Sequence, residues 1–288
     1  MDTRTARFLN ELNQRFYEAC APSFSDTRSA AWQGWRGCLD AACGNLEGRP
    51  NGRSGAGDGE GEALRVLDVA CGNLRFESFL ADELGDRPIS ACAVDTCEFL
   101  ARDGAEAFGL PVQFEGPGNR SVPAASLKPG DIRFRTCDIV AQILDGGQLG
   151  FADFDAAVCF GFFHHVLGRQ ARIDLLDQLI ASVRPGGVVA ISLWRFMDDE
   201  RLVRKALEAS AQARIDMAGT VDFDALEAGD YFLGWQDMRG VYRYAHSFSD
   251  DDVDELADAA SNRAQLLARF RADGRTNDLN EYLVFRAV

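Results

Sequence analysis

The chain has 288 residues, 45 acidic and 30 basic side chains, and a net charge of -15. Apolar residues make up 47% of it and the mean hydropathy is -0.17, so a full core can be buried. Such an acidic chain repels bare nucleic acid and anionic membranes unless its charge is segregated, and no apolar run approaches the ~20 residues of a membrane helix.

The cysteines at 20, 38, 43, 71, 92, 97, 137 and 159 form no C-x-x-C pair. A disulfide framework or zinc site needs clustering. The expectation is free, mostly buried thiols in a reducing cytoplasm, with no metal site. Met1-Asp2-Thr3-Arg4 leads into an amphipathic segment rather than an apolar signal core, which points to the cytoplasm as well.

Phe8, Leu9, Leu12, Phe16 and Cys20 recur three and four apart, predicting a helix over 5–20. A second helix is expected over 32–43. Residues 48–62 hold six glycines and no large apolar side chain, and read as a flexible connector. Strands are then expected at 64–70, 89–95, 132–138, 154–160 and 188–194. Helices fall between them at 74–84, 97–108 and 167–183. Residues 109–130 read as a loop or weak hairpin, and Pro185-Gly186-Gly187 as a turn before the last of these strands. Strands spaced by helices predict a parallel, doubly wound α/β sheet buried on both faces. A helix follows at 198–218, then a mixed aromatic stretch at 219–247. Ser249 with Asp250, Asp251 and Asp252 marks a helix start, because a Ser cap and early negative charge suit the helix dipole. Residues 264–272 and 281–287 alternate as two strands that pair antiparallel at the sheet edge.

The chemistry concentrates in Val66-Leu67-Asp68-Val69-Ala70-Cys71-Gly72-Asn73-Leu74-Arg75-Phe76. An apolar strand ends in a small-residue turn and enters a helix, whose free N–H groups and close backbone suit a ligand. Asp95 ends the next strand and can accept both hydroxyls of a nucleoside ribose. Asp138 beside Ile139 ends the third expected strand, a pairing that suits a purine. All three acids fall at carboxyl ends of strands, where open α/β sheets bind ligands.

With Thr136-Cys137-Asp138, Phe154–Cys159 and Val183–Gly187 in the same order, residues 64–195 resemble the class I S-adenosylmethionine-dependent methyltransferases. That resemblance implies a seven-stranded Rossmann-like sheet and S-adenosylmethionine as cofactor. It assigns the cofactor to Asp68, Ala70, Gly72, Asp95, Asp138, Ile139, Phe160 and Gly161. The family's turn usually carries three alternating glycines. Here those positions are Ala70, Gly72 and Leu74, and Leu74 is expected to crowd the methionine part.

Ala21–Arg28 followed by Trp32, and Arg243-Tyr244-Ala245-His246 before an acidic helix, are similar to segments of the tRNA wobble-uridine carboxymethyl methyltransferases. Those enzymes esterify a carboxymethyl group, and their eukaryotic members act with a small zinc-binding activator subunit. The resemblance makes Arg243 the clamp of an acceptor carboxylate, with Tyr244 and His246 beside it. Arg28 would hold either the cofactor's carboxylate or the acceptor. A hydroxyl or amine acceptor would instead draw on His165 or His246 as base. Of the adjacent His164 and His165, one is expected in the cleft and one in the core. The structural alternative for Arg28 and Arg243 is ion pairing, since residues 216–258 hold twelve acids and two basic residues. The expected organisation is a helical cap at 1–47, a linker at 48–63 and a catalytic domain at 64–288 with an acceptor-side insertion at about 198–248. A charge of -15 sits poorly with tRNA, so a small-molecule acceptor is the alternative. A non-catalytic domain that binds partners is the alternative of another class.

Overall fold

The structure is a computed structural model describing residues 2–26, 30–43, 63–116, 122–235 and 238–288. The expected linker at 48–63 lies outside them apart from Ala63, as does Arg28.

The glycine turn sits where sheet and helix alternate. Strand β1 (Leu64–Val69) leads to α3 (Arg75–Leu84), β2 (Ile89–Asp95) and α4 (Glu98–Phe108). Short strands β3 (Val112–Glu115) and β4 (Val122–Pro123) precede β5 (Ile132–Thr136) and α5 (Ile139–Leu144). Then come β6 (Phe151–Ala152), β7 (Phe154–Cys159), α6 (Arg169–Ser182) and β8 (Val183–Trp194). The chain continues through α7 (Glu200–Asp216), β9 (Asp230–Trp235), β10 (Met238–His246) and α8 (Asp250–Ala260). It ends in β11 (Ala264–Ala272) and β12 (Asn280–Ala287).

The main sheet runs β11-β12-β8-β7-β1-β2-β5-β3. Only β12 runs opposite to the other strands, inserted between β8 and β11. The sheet therefore has eight strands rather than the expected seven. The extra one is β3, whose four residues lie in the stretch read as a loop and pair parallel with β5 at the far edge. A second correction concerns Pro185-Gly186-Gly187, which lies inside β8. Phe154 pairs with Val183 and Ala156 with Val188, so the three residues bulge out of a continuing strand.

Strand alternation separates two cores. Leu67, Val69, Ala157, Ile191, Leu283 and Phe285 face α6 and α8, packing on Leu175, Leu179, Val253 and Leu256. Val66, Val158, Ala190, Tyr282 and Val284 face the other way, against Trp35, Phe76 and Phe79. The expected Ser249 cap forms, and Asp252 at the third helical position completes a capping box.

Two N-terminal helices, α1 (Thr3–Asp26) and α2 (Gln33–Cys43), complete the site wall. Helix α2 lies flat on β12 because Gly34 has no side chain: a Cβ there would stand 2.1 Å from the Tyr282 ring. Helix α1 packs on β10, α4 and α5. Its apolar residues Ala6 and Leu9 join Ala213, Phe232, Tyr242 and Tyr244 in a third cluster. The aromatic stretch before Ser249 is the β9–β10 hairpin, paired apart from the main sheet.

Candidate active site

A cavity of about 580 Å³ opens over the carboxyl ends of β1, β2, β7 and β8, roofed by α1 and the start of α2. Its floor is the turn after β1. Ala70, Gly72 and Leu74 all adopt positive φ, at 64°, 56° and 58°. The backbone thus keeps the shape that three glycines would give, although two of them are absent. Left-handed geometry costs a non-glycine residue about 1–2 kcal/mol, so neighbouring structure holds the turn. Gly104 on α4 shows how closely: a Cβ there would stand 1.9 Å from the Asn73 carbonyl oxygen.

Leu74, the residue that could crowd the ligand, turns away from the cavity. Its side chain is fully buried, packed with Cys71, Ala93, Ala101 and Phe134 beneath the turn, and does not line the cavity. Above Gly72 the space is open, with nothing within 4 Å of where a Cβ would stand.

Asp68, Ala70, Gly72, Asp95, Asp138, Ile139, Phe160 and Gly161 all line this one cavity. Asp95 accepts from the Gly72 N–H at 2.9 Å and the Cys97 N–H at 2.9 Å, which aims its carboxylate along the turn. Burial pushes Asp95 above the usual carboxylate range, against the pull of those N–H groups. Asp68 is pushed well above it, first by burial and then by the charge of Glu77 on α3. Glu77 itself rises to about 7 through burial. Gly161 donates its N–H to Ser192 Oγ at 2.8 Å.

Asp138 has several partners within the protein. It caps α5 by accepting from the Ala141 N–H at 2.9 Å. It also accepts from Asn10 at 2.9 Å and Gln14 at 2.5 Å, both on α1. A carboxylate offers about four acceptor positions, and these contacts, with a second from Asn10, engage them. An amino group from a purine must therefore displace Gln14 or Asn10.

At the other end, Arg243 points from β10 into the cavity among the rings of Phe16, Tyr17 and Trp194. Its Nη1 donates to the Tyr17 hydroxyl at 2.9 Å, and its buried Nε has no hydrogen-bond partner. Among the described residues Arg243 makes no ion pair. Tyr17 stands 2.7 Å from His165 Nε2, and His165 Nδ1 is 2.9 Å from the Tyr244 carbonyl oxygen. A carbonyl only accepts, so Nδ1 carries the proton and Nε2 accepts from Tyr17. Burial and the Arg243 charge push His165 down to about 3, which keeps the ring neutral. His164 packs against it at 4.0 Å between ring centroids and also lines the cavity, so both histidines face the cleft rather than one.

Tyr244 and His246 are not in the site. Strand alternation turns them away from Arg243. The Tyr244 hydroxyl donates to Asp230 at 2.6 Å and His246 Nδ1 meets the same carboxylate at 2.7 Å. Glu227, Asp230 and His246 each bring one ligand atom within 4.8 Å of the others. Arg172 donates to Glu227 at 2.6 Å and offsets part of the negative charge there.

Asn10, Asn13, Gln14 and Tyr17, all lining the cavity from α1, are among the contributors that the sequence reading did not assign. Their spacing of i, i+3, i+4 and i+7 is a helical face, a polar stripe beside the apolar one. That periodicity was the available signal.

The fold is that of the class I S-adenosylmethionine-dependent methyltransferases. A Burkholderia thailandensis 1,6-didemethyltoxoflavin-N1-methyltransferase, solved with that compound and S-adenosylhomocysteine, superposes with a TM-score of 0.55 at 17% identity. The match covers 99% of this chain and 90% of that one. A methyltransferase from Methanosarcina mazei gives 0.53 at 16% identity, over 79% and 93% of the two chains. In sequence, the chain is 24% identical over 205 residues to an Arabidopsis thaliana tRNA (carboxymethyluridine(34)-5-O)-methyltransferase, covering 69% of this chain. The chain spans only 36% of that relative's length. No family model matches the chain.

Proposed function

We propose that the chain transfers a methyl group from S-adenosylmethionine to a carboxylate held by Arg243. The observation that carries this reading is Arg243 itself: buried, at one end of the cavity, with no carboxylate partner among the described residues. A buried guanidinium left unpaired is costly, and an acceptor carboxylate satisfies it with charge-assisted hydrogen bonds.

The cavity fits the cofactor. The space over Gly72 is open, and Asp95 lies beside it to meet the ribose hydroxyls. When bound, S-adenosylmethionine supplies an electrophilic methyl on sulfur. Arg243 and the Tyr17 hydroxyl orient the acceptor, and alignment dominates the rate of such an in-line displacement. A carboxylate is already ionised at neutral pH and needs no base. His165 then fixes Tyr17 by accepting its proton in a hydrogen bond, and α1 excludes water from above.

The wobble-uridine carboxymethyl group of tRNA is the first acceptor to test, supported by the segments at 21–32 and 243–246 and by the Arabidopsis relative. This reading includes a cytoplasmic reaction, and a small activator subunit that would supply the positive surface a chain of charge -15 lacks. A small organic acid is the second reading, favoured by that same charge.

Calorimetric titration with S-adenosylhomocysteine tests the cofactor. The chain is expected to bind it in the micromolar range, and Asp95→Ala to weaken binding at least tenfold. Unchanged affinity in the variant would remove the ribose assignment. Arg243→Met is expected to keep that binding and to lower transfer to a carboxylate acceptor by about 100-fold, the scale of a charge-assisted hydrogen bond. Full transfer by the variant sinks the carboxylate clamp.

A further inference from the structure

Asn13 is buried in the middle of α1, yet its side chain bonds across to β10 rather than to its own helix. Its Oδ1 accepts the Tyr244 N–H at 2.7 Å and its Nδ2 donates to the Tyr244 carbonyl at 3.2 Å. A backbone N–H only donates, so the orientation of the amide is settled, with Nδ2 on the carbonyl side. Strand β10 pairs with β9 in a two-stranded sheet, and Asn13 takes the place of a further strand on its open edge. The residue held in this way is the one after Arg243.

On the carbonyl side Nδ2 also stands 3.1 Å from His165 Nδ1. The Tyr244 carbonyl accepts from both nitrogens, so their contact sets donor against donor. His165 is faced by Asn13 and Tyr17 from α1, by Arg243 and the Tyr244 carbonyl from β10, and by Phe162 and His164 from its own turn. Among the described residues no carboxylate bonds to it. A histidine that works as a general base needs its doubly protonated form stabilised, and an acid at Nδ1 is the common device. Here an amide donor stands in that place. Burial and the Arg243 charge act in the same direction.

We propose that Asn13 is a positioning residue with two tasks: it fixes the strand beside Arg243, and it denies His165 the acid partner that would make it a base, so that the site methylates acceptors that arrive already ionised. This deepens the carboxylate reading and rests on it. His165 Nε2 keeps its lone pair for the Tyr17 hydroxyl, which in turn accepts from Arg243. The acceptor end thus holds one positive charge and no place for a second proton.

The test is Asn13→Asp, equal in size but with an acceptor where Nδ2 stands. Imidazole nitrogen-15 spectra are recorded against pH; the chain has three histidines, and His165→Gln assigns the signals of His165. The wild-type ring is expected to stay neutral, with its proton on Nδ1, from pH 8 down to about 4. In Asn13→Asp it is expected to take a second proton with a midpoint at least about two pH units higher. Methyl transfer to tRNA bearing wobble carboxymethyluridine is expected to be level between pH 6 and 8.5 in the wild type. In the variant its KM should rise through the new midpoint, where loss of the proton leaves a net negative charge beside Arg243, and kcat should change less. A wild-type ring that titrates above pH 5, or carries its proton on Nε2, overturns the proposal even where the variant fails to fold. So does a folded variant, checked by thermal unfolding, whose His165 titrates as in the wild type. Wild-type transfer that climbs with pH through this range shows a working base and overturns the specificity task. No transfer to that tRNA, with the wild-type spectrum as expected, overturns this acceptor and leaves the positioning task standing.

Discussion

Leu74 stands at a glycine position in a left-handed conformation, yet its side chain is wholly inside the protein. Two effects oppose each other on replacement by glycine. Relief of backbone strain gains about 1 kcal/mol, while deleting a buried leucine costs about 2–5 kcal/mol. The cavity term wins, so Leu74→Gly is expected to lower stability by about 1–4 kcal/mol in urea unfolding. It should leave S-adenosylhomocysteine affinity no better than in the wild type. Tighter binding by the glycine variant would show that Leu74 does crowd the ligand. Residue identity alone could not foretell this. The sequence shows which residue replaces glycine, but the direction of its Cβ depends on φ, which the surrounding packing dictates. Arg243 was the opposite case. Strand alternation separates it from Tyr244 and His246 by parity, so the sequence held the information that only one of the three enters the cavity.

Among elements, β1, its turn and α3 were legible because an apolar run, small residues and a helical pattern follow one another within about two dozen residues. Strand β3 was not, because four residues carry too little periodicity to stand out from a loop. The polar stripe of α1 was legible in spacing but not in purpose, since a polar helical face usually meets water. Strand β1 and helix α3 also bring Asp68 and Glu77 together, both buried. Burial raises Glu77 to about 7 in the folded chain, against about 4.3 when unfolded. The folded state therefore binds the proton more tightly. Its contribution is present below pH ~4.3 and is lost as pH rises through 7. Glu77→Gln is expected to flatten this loss, so that the variant gains stability relative to wild type between pH 5 and 8 in thermal unfolding. A parallel pH dependence in wild type and variant would assign the effect elsewhere.

For the molecule as a whole, charge decides between acceptors. A chain of -15 meets a polyanion only through local positive surface, and such contacts weaken steeply with salt. Methyl transfer to tRNA by the isolated chain is expected to fall at least tenfold between 50 and 200 mM salt. Transfer to a small carboxylate should change less than twofold over the same range, because its one ion pair lies inside the cavity. Salt-independent transfer to tRNA would point to recognition without phosphate contacts.

One consequence follows from the way α1 spans the cavity. Gln14 touches Asp138 at one end and Tyr17, a single helical turn later, touches Arg243 and His165 at the other. The two half-sites thus share one rigid beam. In the proposed reading, a base that draws Asp138 away from Gln14 changes the footing of the hydroxyl proposed to orient the acceptor. Linkage then makes the effect mutual: the factor by which a bound nucleoside alters acceptor affinity equals the factor by which a bound acceptor alters nucleoside affinity. Order of addition, release of spent cofactor and acceptor choice become properties of a single helix rather than of two independent pockets.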